Sequence, residues 1–159
     1  MANITIISVG TLKEAYLKDA VAEYSKRLSQ YAKLDEVSIK EEKISNEDDA
    51  AEIHRALDTE ADKILAAIPK GAAKIALCVE GKQYSSTALA AMIGKMIDGS
   101  GKIALIIGSS HGLSDKVKRE CDVRLSVSEM TFPHQLMRVI LLEALYRSFT
   151  ILQGKRYHK

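Results

Sequence analysis

The stretch that decides the fold is residues 102–112, which read Lys-Ile-Ala-Leu-Ile-Ile-Gly-Ser-Ser-His-Gly. Its first six residues are mostly aliphatic, which predicts a buried strand over 102–107. Gly108 ends the run, and Ser114 with Asp115 can begin a short helix because both residue types favour helix N-termini. A buried strand that passes through a glycine-bearing turn into a helix is the repeating unit of a parallel α/β sheet.

The same unit repeats along the chain. Further strands are predicted at 4–9, 34–40, 74–79 and 123–127, the third of them ended by Gly81. Helices are predicted at 13–30, from a Ser45 or Asn46 cap to Ile68, from a Ser85 or Ser86 cap to Ile97, and from Pro133 to Leu152. Because strands alternate with helices throughout, the sequence predicts an α/β fold, with a mostly parallel sheet covered by helices on both faces, in one domain spanning 1–159.

The composition is that of a globular protein, since 47% of the 159 residues are hydrophobic and 28% are charged. No apolar run approaches the roughly 20 residues needed to cross a bilayer, and the N-terminal residues lack the features of a signal peptide. Cys78 and Cys121 follow no zinc-ligand spacing, so we expect neither a metal site nor a disulfide. These observations predict a cytoplasmic protein with no membrane association.

Charge is distributed unevenly along the chain. Residues 41–62 contain nine acidic and two basic residues, a net charge of −7; because the whole chain carries +2, the remainder carries +9. The acidic segment can be a solvated helix face, or the basic remainder can face an anionic partner such as RNA.

Three predicted strand ends carry glycine or polar turns, at 80–82, 108–112 and 128–131. In open α/β sheets, ligands bind outside the carboxyl ends of the strands, so these turns predict one ligand crevice. Ordinary strand-to-helix turns also need glycine, and the pattern is neither the dinucleotide-binding fingerprint nor a phosphate-binding loop.

The last predicted helix combines a polar start with an apolar body. His134 and Arg138 are four residues apart and therefore share a helix face. They suit anion binding and proton transfer at a helix start, or else packing and a salt bridge. Between 136 and 149 the helix is apolar on almost every side, so it is either central in the core or a homodimer face, and we expect the homodimer.

The chain ends in the basic and aromatic sequence Lys155-Arg156-Tyr157-His158-Lys159. Positive charges suit phosphates and a ring suits a nucleic-acid base, so this tail is either a nucleic-acid contact or a solubilising end. Gly154 lets the tail turn back toward the body of the protein.

Three motifs together resemble one known family. They are Ile106-Ile107-Gly108-x-x-x-Gly112-Leu113, then Ser128-x-x-Thr131-Phe132-Pro133-His134-Gln135-Leu136-Met137-Arg138-Val139, and the terminal Tyr157-His158-Lys159. In length and motifs the chain resembles the ribosomal RNA large subunit methyltransferase H family, which belongs to the SPOUT class of methyltransferases. The resemblance covers the whole chain.

The resemblance implies a C-terminal trefoil knot, an obligate homodimer, S-adenosyl-L-methionine as methyl donor, and N3 of pseudouridine 1915 in the 23S rRNA of the ribosome as acceptor. The implied cofactor contacts are Leu77, Gly108, Val127, Ser128, Glu129, Met130, Thr131 and Phe132, at strand ends that also form the predicted crevice. Ser109 departs from the family, which often has a second glycine there, and this residue could shift the loop.

The implied chemistry needs a group that removes the N3 proton, and histidine suits that task near neutral pH. His134 and His158 are both candidates for this base, and Tyr157 would stack on or orient the target base. The basic residues expected to hold the RNA backbone or polarise a base carbonyl are Arg138, Lys155 and Arg156, with Lys159 at a phosphate. Two other functions stay open: another α/β enzyme with a nucleotide cofactor, or a non-enzymatic ribosome-binding or assembly factor.

Overall fold

The structure is a computed structural model that describes residues 1–157 of the chain. Across these residues, five parallel strands form one sheet in the order β2-β1-β4-β3-β5, accompanied by five helices. The elements are β1 (Ala2–Val9), α1 (Ala15–Leu28), β2 (Ala32–Ile39), α2 (Ala50–Ala67), β3 (Ala73–Gln83), α3 (Ser86–Ser100), β4 (Lys102–Ile107), α4 (Asp115–Glu120), β5 (Val123–Ser126) and α5 (His134–Leu152). The predicted α/β architecture is confirmed, and the C-terminal knot stays a prediction.

Apolar side chains of the central strands alternate between two cores, one on each face of the sheet. On one face Ile4 and Leu105 pack with α1, α3 and α5, and on the other Ile7 and Ile106 pack with α2 and α4. A strand buried on both faces needs an almost unbroken apolar run, which explains why 102–107 is so clear in the sequence.

The last helix is buried on one side and partly open on the other. α5 packs against both α1 and α3, and Leu141, Leu142 and Leu145 are fully buried. Leu136 and Ile140, one turn apart, are only half-buried. We call this pair the open strip of α5; it is where the expected homodimer face would lie, and that dimer stays a prediction.

The start of α2 differs from the prediction, because its cap is Asp49 and not Ser45 or Asn46. The Asp49 carboxylate accepts hydrogen bonds from the backbone N–H groups of Ala51 and Glu52. Ser45 and Asn46 instead donate backbone N–H groups to the Glu52 carboxylate, at 2.6 and 3.1 Å. All three residue types are good caps, so the path of the preceding loop decides which one is used.

β3 also differs, because it continues past Gly81, where the sequence predicted its end. Leu77 and Lys82 both pair with Leu125 of β5, so the strand bulges between them. A Cβ on Gly81 would lie 2.7 Å from the Arg124 carbonyl oxygen. Glycine is needed here because two backbones approach closely, not because the strand ends.

The remaining differences are small and lie at the ends of helices and strands. α3 continues through the predicted turn to Ser100, and Gly101, whose φ is +68°, follows it as the cap residue. Pro133 precedes α5 as its cap residue, and Gly154, with φ of +66°, follows its end as predicted. No helix in the described part of the chain is long and apolar enough to cross a membrane.

Candidate functional site

A cleft of about 670 Å³ lies at the carboxyl edge of the sheet, where β3, β4 and β5 end and α5 begins. This is the place where the sequence predicted a ligand crevice. Seven of the eight residues expected to contact a cofactor line it, namely Leu77, Gly108, Val127, Ser128, Met130, Thr131 and Phe132. Glu129 is exposed and lies outside the lining. The volume is typical of small-molecule sites.

The loop 108–112 forms one wall of the cleft and is closed by its own hydrogen bonds. Ser109 is buried; its Oγ accepts from the His111 N–H at 3.2 Å, and its carbonyl oxygen accepts from the Gly112 N–H at 2.9 Å. A Cβ on Gly108 would overlap the Gly112 carbonyl group, so the turn leaves no room for a side chain there. Ser109, the departure from the family pattern, therefore helps to close the loop.

A short side-chain contact connects this loop to the acidic segment of the chain. The Nε2 atom of His111 lies 2.8 Å from a carboxylate oxygen of Glu47, and the His111 side chain is only 21% exposed. Part of the segment 41–62 thus contacts a wall of the cleft, although the Glu47 side chain itself is 69% exposed. Sequence reasoning missed this contact because the two residues are far apart along the chain and no local pattern records their pairing.

The loop 127–132 forms a second wall. Ser126 donates to the Ser128 carbonyl oxygen at 3.1 Å, and the Ser128 hydroxyl accepts from the Met130 N–H at 3.0 Å. The Ser128 side chain is therefore used to shape the turn. Val127 is 38% exposed and Met130 is 68% exposed, so this wall presents apolar groups to whatever enters the cleft.

The first turns of α5 bring His134 to the cleft but not Arg138. His134 is the first residue of α5 and lines the cleft. The Arg138 guanidinium instead donates to the Gly10 carbonyl oxygen just beyond β1, and the residue is only 7% exposed. Burial lowers the pKa of Arg138, and its Nε has no hydrogen-bond partner within the described residues. This placement favours packing over the predicted contact with RNA or a base carbonyl.

The basic residues of the tail have different surroundings. The Lys155 ammonium donates to the Tyr31 hydroxyl at 2.7 Å and lies 4.7 Å from the centre of that ring. The Lys155 charge is therefore engaged within the chain, although Lys155 and Arg156 are both exposed and accessible to a phosphate. The predictions for His158 and Lys159 fall outside the described residues.

Tyr157 lies away from the cleft of its own chain. Its hydroxyl donates to the Glu143 carboxylate at 2.9 Å. Glu143 is nine residues beyond His134, a distance of roughly 13 Å along the helix axis. Within one chain, Tyr157 thus does not close over the cleft, and its closure over the cleft of a partner subunit stays a prediction.

Two further residues of the cleft escaped sequence reasoning. Lys118 of α4 forms an ion pair with Glu80, and this hydrogen bond lowers the pKa of the Glu80 carboxyl. Cys78 also lines the cleft, but burial raises the pKa of its thiol, so the sulfur is a poor nucleophile at neutral pH. Over residues 1–157, no three His, Cys, Asp or Glu side chains are grouped so that they could share a metal ion.

Comparisons with known proteins point to one family. Residues 2–158 match the family described as "Predicted SPOUT methyltransferase". The chain is 51% identical over 160 residues to the ribosomal RNA large subunit methyltransferase H of Clostridium novyi, 47% identical over 156 residues to that of Caldicellulosiruptor bescii, and 46% identical over 158 residues to that of Bacillus pumilus. These alignments cover 98–99% of this chain and 99% of each relative.

Proposed function

The chain belongs to the SPOUT methyltransferases, and from this we propose that it transfers a methyl group from S-adenosylmethionine to N3 of pseudouridine 1915 in 23S rRNA. The observation that carries the proposal is the cleft, because its loops are those to which the family resemblance assigns the cofactor. The names of relatives matched over nearly their full length support an rRNA of the large ribosomal subunit as substrate. The protein would then act in the cytoplasm, where ribosomes are found.

The residues of the cleft fit a nucleoside that carries an amino-acid end. Leu77, Ile107 and Leu125 provide an apolar surface for a base. The loops 108–112 and 127–132 present backbone groups that can bind the polar edges of a ligand. The N-terminus of α5 faces the cleft and suits a carboxylate, because its first N–H groups have no partner within the helix. When bound, S-adenosylmethionine would supply an electrophilic methyl group on its sulfonium.

His134 is the cleft side chain best suited to take the N3 proton. It lines the cleft next to Phe132 and Pro133, and imidazole is the side chain that exchanges protons near neutral pH. The rest of the catalysis is positioning, since a sulfonium methyl needs an aligned nucleophile more than covalent help. His158 is the second candidate for the base.

In a homodimer, the tail of each subunit would take part in the reaction at the cleft of its partner. The tail leaves α5 at the end far from the cleft of its own chain, so the tail of one subunit would serve the cleft of the other. Each site would then combine His134 of one chain with the tail residues of its partner. Arg156 would bind a phosphate, and binding of RNA should therefore weaken as salt increases.

Isothermal titration calorimetry tests the cofactor assignment. We expect S-adenosylmethionine to bind with one site per chain, and nicotinamide and flavin dinucleotides not to bind. Binding of either dinucleotide without S-adenosylmethionine would favour a different α/β enzyme. Binding of ribosomes with no affinity for any of these cofactors would favour a non-enzymatic assembly factor.

A further inference from the structure

We propose that Glu143 and Tyr157 form an anchor that fixes the C-terminal tail to its own α5, so that Tyr157 positions the tail and does not stack on the target base. The inference rests on the proposed function, in which the tail takes part in methyl transfer to rRNA. Glu143 lies outside the lining of the cleft, and sequence reasoning did not single it out.

Tyr157 makes three contacts with one face of α5. Its hydroxyl donates to the Glu143 carboxylate at 2.9 Å. Its ring meets the Tyr146 ring edge to face, with centroids 4.8 Å apart, and the Arg147 guanidinium lies 4.7 Å from its centroid. Hydrogen bonding, aromatic packing and a cation–π contact thus act on a single residue that lies beyond the end of the helix.

The Glu143 carboxylate is held in place to accept the Tyr157 hydroxyl. It accepts two further hydrogen bonds from Arg147, at 2.6 and 3.0 Å, and its side chain is only 25% exposed. The same carboxylate raises the pKa of Tyr24 on α1 to about 12. The Tyr24 ring also packs against the Tyr146 ring of α5, with centroids 6.5 Å apart, so the anchor also depends on the packing of these two helices.

A second attachment fixes the start of the tail. The Lys155 backbone N–H donates to the Thr150 carbonyl oxygen at 2.9 Å, and its ammonium donates to the Tyr31 hydroxyl at 2.7 Å. Burial, together with the hydrogen bond to Glu143, raises the pKa of Tyr157. The phenol therefore stays protonated at neutral pH and remains a donor.

These contacts change the role of Tyr157 from the one the sequence suggested. Because Arg147 lies over its ring and Tyr146 packs against it, the ring is not free to stack on a nucleotide. It instead fixes the chain one residue before His158, the second candidate for the base. A residue that restricts the position of a catalytic group raises turnover without touching the substrate.

Three variants test the anchor. Tyr157→Phe and Glu143→Ala each remove the hydrogen bond, whereas Glu143→Gln keeps an acceptor oxygen and is the conservative variant. Glu42→Ala is the matched control, because it removes the carboxylate of a similar ion pair, with Lys63 at 2.8 Å, that has no contact with the tail or with the residues of the anchor. The rate at which trypsin releases the tail is followed by intact mass, and kcat and KM are measured for methylation of ribosomes.

We expect Tyr157→Phe and Glu143→Ala to speed release of the tail and to lower kcat about tenfold, as for the loss of one hydrogen bond to a charged acceptor. The double variant Tyr157→Phe/Glu143→Ala should have a kcat no lower than that of either single variant. Glu143→Gln should keep most of the activity that Glu143→Ala loses. KM for S-adenosylmethionine should not change, and Glu42→Ala should behave as the unaltered protein.

The proposal of an anchor is overturned if Tyr157→Phe and Glu143→Ala keep full activity. It is also overturned if trypsin releases the tail of these variants as slowly as that of the unaltered protein. Loss of activity in Tyr157→Ala alone would support stacking on the base instead. An unaltered protein that methylates no RNA would overturn the proposed function, and the rates of tail release would then still decide whether the anchor exists.

Discussion

At the residue scale, we expect cofactor binding to depend on the backbone around Gly108. A Cβ at this position would overlap the Gly112 carbonyl group, so even alanine must displace the loop 108–112. We expect Gly108→Ala to weaken S-adenosylmethionine binding by about tenfold or more and to lower the free energy of unfolding by about 1–3 kcal/mol, the usual cost of overpacking. Calorimetry and thermal denaturation measure the two effects.

Gly99→Ala is the matched control for this substitution. Gly99 lies within α3, and nothing lies within 4 Å of a Cβ placed on it. Alanine favours a helix over glycine by up to about 1 kcal/mol, so this variant should keep its cofactor affinity and lose no stability. Unchanged affinity in Gly108→Ala would contradict the assignment of the cofactor to the loop 108–112.

Glu60 is a buried carboxyl group that should make stability depend on pH. It is 3% exposed and accepts the Glu42 backbone N–H at 2.9 Å. Burial raises its pKa, and the nearby Glu41 and Glu42 carboxylates act in the same direction. Because folding then favours the protonated form, the contribution of Glu60 is most favourable below its unfolded pKa and is lost as pH rises through its folded pKa.

The stability of Glu60→Gln relative to the unaltered protein should therefore increase with pH. The glutamine keeps an acceptor oxygen but cannot ionise, so it avoids the buried charge at pH 7 and offers no such advantage below about pH 4. Urea denaturation of both proteins from pH 4 to pH 8 measures the difference. A difference that stays constant over this range would show that Glu60 does not titrate differently in the folded state.

At the scale of elements, the start of α2 is set by Asp49. Replacing this cap with alanine should lower the free energy of unfolding by about 1 kcal/mol, because two backbone N–H groups lose their acceptor. Asn46→Ala is the comparison, since its side chain accepts only from the Asp48 N–H at 3.0 Å in the loop before the helix. Urea denaturation should give a smaller loss for Asn46→Ala. A larger loss there would mean that the helix begins where the sequence predicted.

Periodicity predicted every strand and helix, because a buried strand and an amphipathic helix each leave a local pattern in the sequence. Prediction from the sequence failed where the same type of residue can serve two different structural roles. Gly81 suggests a strand end, yet it allows close contact with the backbone of Arg124. Ser45 and Asp49 are equally good caps, and the choice between them depends on the contact between Ser45 and Glu52.

At the scale of the whole molecule, the sequence located the cleft but not all of the side chains expected in it. The carboxyl ends of parallel strands meet at one edge, so the loops 108–112 and 127–132 could be grouped from sequence alone. Arg138 and Tyr157 were expected at the site, yet both are bound to other parts of the chain. The directions in which the Arg138 and Tyr157 side chains point depend on how α5 packs against the rest of the chain. No local sequence pattern indicates that packing.

The open strip of α5 should hold two chains together. Sedimentation at micromolar concentration should give a mass of about 35 kDa, twice the chain mass of 17.5 kDa. Ile140→Asp should give monomers, because a charge buried in an apolar interface is unfavourable. Tyr16→Asp, at a residue on α1 that is 69% exposed, should leave the dimer intact. A monomeric unaltered protein with full activity would refute this interface.

The most direct test of the account is methyl transfer itself. Purified protein is incubated with S-adenosylmethionine and ribosomes that lack the modification, and the 23S rRNA is digested and analysed by mass spectrometry. We predict one N3-methylpseudouridine per large subunit, at position 1915, formed only when both protein and cofactor are present. Cofactor binding without any methylation of rRNA, or methylation at a different base, would contradict the proposed function.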